Sequence, residues 1–179
     1  MDNSQTHKEG VSYTYKGYDG YAPMAAYLGQ EGWCLGCELR PGSQHANKGF
    51  LDTLKRVLPR ARSLTDKPIL LRLDSAHDAR ANRDFLREQD QVDFLIKWNP
   101  RTEDPLVWAD KAQARKAWSL ERDGKMEAVL SEAIPDEPGL RRIVKVTVRT
   151  SDAEGQLYLE PEVSLEGWVT SLPAEVADE

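Results

Sequence analysis

One aspartate, Asp74, follows a predicted strand, at the position where α/β proteins commonly carry a catalytic or metal-binding carboxylate. It ends a nearly continuous apolar run over residues 68–74, typical of a short strand buried on both faces. Residues 79–89 then predict a helix. Ligands gather at the carboxyl ends of such strands, and a carboxylate there suits Mg²⁺, which prefers oxygen ligands. The alternative is that Asp74 or Ser75 only caps the following helix, and position alone does not decide between the two.

The two cysteines and His77 could bind a metal or undergo redox chemistry, but the sequence favours structural roles for them. Cys34 and Cys37 form a CxxC pair, but a structural zinc site needs four ligands and the sequence holds no second pair. Residues 32–39 predict a strand, in which positions i and i+3 face opposite sides, so we expect the thiols to point apart as small core residues. His77 can reach the same site as Asp74, although a turn residue without a ligand is the favoured interpretation.

Composition is typical of a folded chain with one domain or one domain carrying an insertion. The 179 residues are 40% hydrophobic and 30% charged. No apolar run approaches the roughly 20 residues of a membrane span. The polar N-terminus lacks an apolar signal region, so we expect a cytoplasmic protein without a membrane partner. The net charge of −6 argues against a protein that binds nucleic acid by itself. It allows an acidic catalytic core whose DNA-binding regions lie elsewhere.

The order of the predicted elements indicates an α/β fold with a mixed sheet. Three strands in close succession imply an antiparallel meander, predicted over residues 11–15, 21–28 and 33–39. The elements that follow alternate, with helices over 47–62 and 79–89 and strands over 68–74 and 92–98. Pairing of the last two strands would form a βαβ unit.

Beyond residue 100 the sequence becomes rich in strand signals. A helix is predicted over 104–117, and the hairpin signature Asp123-Gly124 follows. We therefore divide the chain into a mixed α/β part (1–115), a β-rich insertion subdomain (116–160) and a return strand with an acidic tail (161–179).

Several motifs, in the expected order, closely resemble bacterial insertion-sequence transposases of the DDE-domain group 1 type. They are DNS (2–4), KEGV (8–11), TYKGYDGYAP (14–23), YLG (27–29), ELRPGSQH (38–45), LRLDS (71–75) and FLIK (94–97). An ordered set of motifs is a specific signal, unlike any one of them alone.

The resemblance implies that residues 1–115 form a partial RNase H-like catalytic core. This core opens with three antiparallel strands and continues into alternating helices and parallel strands. It also implies three carboxylates that hold two divalent metals, Mg²⁺ or Mn²⁺, for cutting and joining DNA. The implied partners are the transposon ends and the target DNA, and the resemblance allows a homodimer.

Only one catalytic residue can be carried over from the family, and that is Asp74, which matches its second aspartate as a catalytic and metal-binding residue. The family's first aspartate lies on an opening strand just before the DNS motif, and Asp2 is not equated with it. The third acid lies in a Tyr-Arg-Glu-Lys helix, a pattern absent here, and Glu175 and Glu179 lack its surrounding residues. We therefore expect a fragment that is inactive by itself.

Three hypotheses about function remain open at this stage. The first is a fragment of a transposase catalytic domain, whose parent protein performs metal-dependent DNA cleavage and strand transfer. The second is an inactive transposase remnant or a stand-alone interaction domain. The third, less favoured, is another RNase H-like nuclease or a metal-dependent phosphatase that uses Asp74.

Overall fold

The computed structural model describes residues 2–6 and 8–177. It divides into two compact units: Met1–Pro68 with Ala79–Phe85, and Ile69–Asp78 with Leu86–Glu179.

The first unit begins with two short antiparallel strand pairs. Strand β1 (Ser12–Tyr13) pairs with β2 (Asp19–Gly20), and β3 (Met24–Leu28) pairs with β4 (Trp33–Glu38). Pro23 lies between β2 and β3 and has no backbone N–H to donate to a ladder. Two separate pairs therefore take the place of the predicted three-stranded meander.

A β-bulge in β4 changes which side chains share a face. Ala26 lies opposite Gly36 but Tyr27 lies opposite Cys34, so β4 carries one extra residue, Leu35. The alternation along β4 shifts at this point. Both Cys34 and Cys37 are exposed. The prediction that they point apart as small core residues is therefore wrong.

Helix α1 (Phe50–Arg62) packs against the face of the β3–β4 hairpin that lies opposite the two exposed cysteines. Its apolar stripe is buried, and Arg60 donates a hydrogen bond to the carbonyl oxygen of Leu35 over 2.8 Å. Pro59 lies in the last turn, where only one intrahelical hydrogen bond is lost, and the helix continues to Arg62.

The second unit is built on a six-stranded mixed sheet in the order β5-β6-β10-β9-β8-β7. The strands are β5 (Ile69–Leu73), β6 (Val92–Lys97), β7 (Ser119–Arg122), β8 (Lys125–Ala133), β9 (Arg141–Ser151) and β10 (Leu157–Thr170). The pair β5–β6 is parallel and the other pairs are antiparallel. This sheet and its helices confirm the mixed α/β fold class.

Strand β5 lies at an edge of this sheet. Within the described residues it pairs with β6 alone. Leu70 is 49% exposed, whereas Ile69 on the other face is buried. The expectation that this strand is buried on both faces is therefore wrong, because an apolar run does not reveal whether its strand is central or at an edge.

The second unit also contains a 3-10 helix (Ser75–His77), α3 (Pro105–Ala114) and the single turn α4 (Ala174–Ala177). Most of α2 (Arg80–Arg87) belongs to the first unit. Asp104 caps α3 by accepting a hydrogen bond from the N–H of Leu106 over 2.9 Å. None of the helices in the described part of the chain has the length and apolar character needed to cross a membrane.

The contact between α3 and the sheet is organised around two tryptophans. Trp98 and Trp108 are both buried, and their rings meet edge to face at 5.7 Å. Glu103 accepts hydrogen bonds from the indole N–H of Trp108 and from the guanidinium of Arg142, both over 3.1 Å. Arg142 also lies 4.5 Å from the centre of the Trp98 ring.

The division of the chain at residues 115/116 and 160/161 stays a prediction. In the structure, β7, β8 and β9 continue the sheet that contains β5, β6 and β10.

Candidate active site at the ends of two parallel strands

The carboxyl ends of β5 and β6 lie side by side because the two strands are parallel. Leu73 lies opposite Ile96, so Asp74 leaves one strand next to the point where Lys97 ends the other. This is the edge of an α/β sheet at which ligand-binding residues usually gather.

Asp74 is the N-cap residue of the 3-10 helix. Its backbone is extended, and its Oδ1 accepts a hydrogen bond from the N–H of Ala76 over 2.6 Å. The capping role proposed from sequence is thus present. It does not exclude a metal role, because the side chain is exposed and a carboxylate has a second oxygen.

Asp78 ties the turn after β5 to the segment after β6. Its Oδ2 accepts a hydrogen bond from the N–H of Asn99 over 3.1 Å. Between the two aspartates, half-buried His77 closes the 3-10 helix. These local hydrogen bonds hold the strand-to-helix turn in one position beside Asp74.

Strand β10 brings a further acid, Glu166, to this part of the sheet, and this residue was not predicted from the sequence. Trp168 lies opposite Lys97, and Glu166, two residues earlier on the same face, forms an ion pair with Lys97 over 3.0 Å. No local pattern marks Glu166, because its position depends on pairing between strands that are distant in sequence.

The other acids weighed from sequence do not join Asp74 in a metal-binding group. Glu175 lies exposed in α4, and Glu179 lies outside the described residues. Asp2 lies in the first unit, where the N–H and hydroxyl of Ser4 hold its pKa below the usual value. Across residues 2–6 and 8–177, no group of three or more His, Cys, Asp or Glu side chains could hold a metal ion.

The family of the chain follows from its similarity to known sequences. The sequence model of one family, Transposase DDE domain group 1, matches residues 2–134. The chain belongs to this family. No curated protein matches the chain significantly.

Membership of the DDE transposase family agrees with the mixed α/β fold and with the resemblance seen in the motifs. The matched range contains Asp74 and ends one residue after β8, so β9 and β10 lie beyond it. Transposases of this kind act on DNA and in general use divalent metal ions.

Proposed function

We propose that this chain is part of the catalytic domain of a bacterial insertion-sequence transposase that cleaves DNA and transfers strands. The single observation that carries the proposal is the position of Asp74, inside the family match and at the carboxyl end of β5. The DNA would be the transposon ends and the target. A cytoplasmic location follows from that substrate, and assembly as a homodimer stays a prediction.

Asp74 is the residue that would bind a divalent cation, Mg²⁺ or Mn²⁺. Such ions, when bound, activate the attacking oxygen and stabilise the leaving oxygen in phosphodiester chemistry. The protein's own contribution is placement of the carboxylate. The hydrogen bond to Ala76 fixes one oxygen of Asp74, and the contact between Asp78 and Asn99 fixes the turn. Because the described residues form no group of three or more metal-binding side chains, we expect weak binding by this chain alone.

The free edge of β5 supports the proposal that the catalytic domain is longer than this chain. In the family, the first aspartate lies on a strand before the DNS motif. An edge strand with unpaired backbone groups can accept such a strand, and β5 offers that edge directly beside Asp74. A downstream helix would supply the third acid.

The first experiment measures Mn²⁺ binding by paramagnetic broadening of backbone amide signals. We expect broadening around residues 74–78 in the wild type and its loss in Asp74→Asn. Asparagine caps a helix as well as aspartate does, so this variant keeps the turn and loses the charge. Asp110→Asn, which removes an exposed charge from α3, is the matched control and should behave as the wild type. Equal broadening in all three proteins would remove Asp74 from the metal site.

The second experiment tests activity in the full-length protein that contains this sequence. Cleavage of DNA with Mn²⁺ that disappears in Asp74→Asn supports the proposal, and cleavage that survives the substitution contradicts it. No cleavage by a folded full-length protein would favour an inactive remnant or an interaction domain. The net charge of −6 favours the inactive remnant or interaction domain, because DNA-binding surfaces are usually basic.

A further inference from the structure

The two cysteines of the first unit lie together on one exposed face of the β3–β4 hairpin. Cys34 lies opposite Tyr27, and Cys37 lies opposite Ala25. Residues directly opposite each other in an antiparallel pair point to the same side, and Ala25 and Tyr27 are two residues apart on β3. The two thiols therefore share the face of Ala25 and Tyr27.

Burial confirms this assignment of faces. Ala25, Tyr27, Cys34 and Cys37 are all exposed, whereas Ala26, between the first two, is half-buried. The bulge at Leu35 is the cause, since without it the thiols of a CxxC strand would point to opposite sides.

The spacing of the two cysteines favours a bridging ion over a disulfide. Their partners on β3 are two residues apart, which places the Cα atoms roughly 6.8 Å apart. Disulfides mostly span about 5.5–6 Å between Cα atoms, so this pair lies at the far limit of their range. A metal ion between two sulfurs, with bonds of about 2.3 Å as for zinc thiolates, allows the sulfurs to lie up to about 4.6 Å apart.

We propose that Cys34 and Cys37 form a two-thiolate binding site for a soft monovalent cation of the Cu(I) type. Thiolates select soft ions, and two ligands suffice for a linear complex, whereas zinc requires four. Each thiol releases one proton to solvent and each sulfur donates one electron pair to the ion, so no oxidant or reductant is consumed. The site is separate from Asp74 and does not depend on the proposed transposase activity.

The test is an anaerobic titration of the whole chain with Cu(I) in competition with a chromophoric Cu(I) chelator. We expect one ion per chain. Cys34→Ser and Cys37→Ser should each weaken binding by at least about 100-fold, since loss of a ligand costs more than the 10–100-fold of an outer-shell contact. Both side chains are exposed, so the serine variants should fold, and circular dichroism verifies this.

A double variant, Cys37→Ser with Ala26→Cys, is the matched control. It keeps two thiols but places them on opposite faces of the hairpin, so it should bind no better than Cys37→Ser alone. Wild-type affinity in this control or in either serine variant would overturn the proposal. A complex of two chains per ion, detected by native mass spectrometry, would also overturn it, because the thiols would then come from different molecules.

Discussion

Replacing Glu103 by alanine should destabilise the second unit by about 1–4 kcal/mol. Glu103 is the acceptor for the indole N–H of Trp108, a residue that is only 1% exposed. Leaving a buried donor unsatisfied costs about 1–3 kcal/mol. Loss of the ion pair with Arg142 adds about 0–1 kcal/mol, because both side chains remain partly exposed. Arg142 keeps its contact with the Trp98 ring, which limits the damage.

The measurement is thermal and urea denaturation followed by circular dichroism. For a chain of this size, 1 kcal/mol corresponds to roughly 2–4 °C in Tm, so we expect a decrease of about 2–16 °C. Glu121→Ala, which truncates an exposed glutamate of β7, is the control and should change stability by less than about 0.5 kcal/mol.

A double-mutant cycle isolates the hydrogen bond itself. In a Trp108→Phe background there is no indole N–H to leave unsatisfied, so Glu103→Ala should cost distinctly less than in the wild type. An equal loss of unfolding free energy on Glu103→Ala in both backgrounds would show that the indole N–H of Trp108 is not the cause.

Two further predictions concern single carboxylates of the second unit. Asp74→Ala removes the cap of the 3-10 helix, so it should lower the free energy of unfolding by about 0.5–1 kcal/mol and speed hydrogen exchange at the amide of Ala76. Asp74→Asn should preserve both the stability and the slow exchange. Equal exchange rates in the two variants would contradict this prediction. Lys125 and, to a smaller extent, Lys145 hold the pKa of Glu127 below its usual value of 4.5. The contribution of ionised Glu127 to stability is therefore complete above pH 4.5 and is lost as the pH falls through the lowered pKa. Glu127→Gln should flatten the decrease in stability below about pH 4.5, measured by acid titration followed by circular dichroism. An unchanged slope in the variant would contradict this prediction.

The elements that depend on neighbouring residues could be predicted from the sequence. The Asp123-Gly124 signature predicted the hairpin between β7 and β8 because its turn geometry is local. Residues 104–117 predicted α3, whose N-terminus is fixed by the cap Asp104 and by Pro105 at the first turn. Asp74 was placed correctly at the end of β5 for the same reason, although its chemical role stays a prediction.

The features that depend on distant residues could not be predicted. The extra residue of β4 reverses the face of one cysteine, and such a bulge is defined by the partner strand. The position of β5 at an edge and the ion pair between Lys97 and Glu166 both depend on strand order, which periodicity does not encode.

The central position of β10 has a consequence for how the protein is made on the ribosome. β10 lies between β6 and β9. The contacts of β6 with β10 and with Ser171, the residue after it, join positions up to 78 apart, as between Ser171 and Asp93. At roughly 5–20 residues per second, β6 is synthesised about 4–16 s before its second neighbour. During that interval the nascent chain carries an apolar strand with an open side, and the sheet can close only when β10 inserts between strands that already exist.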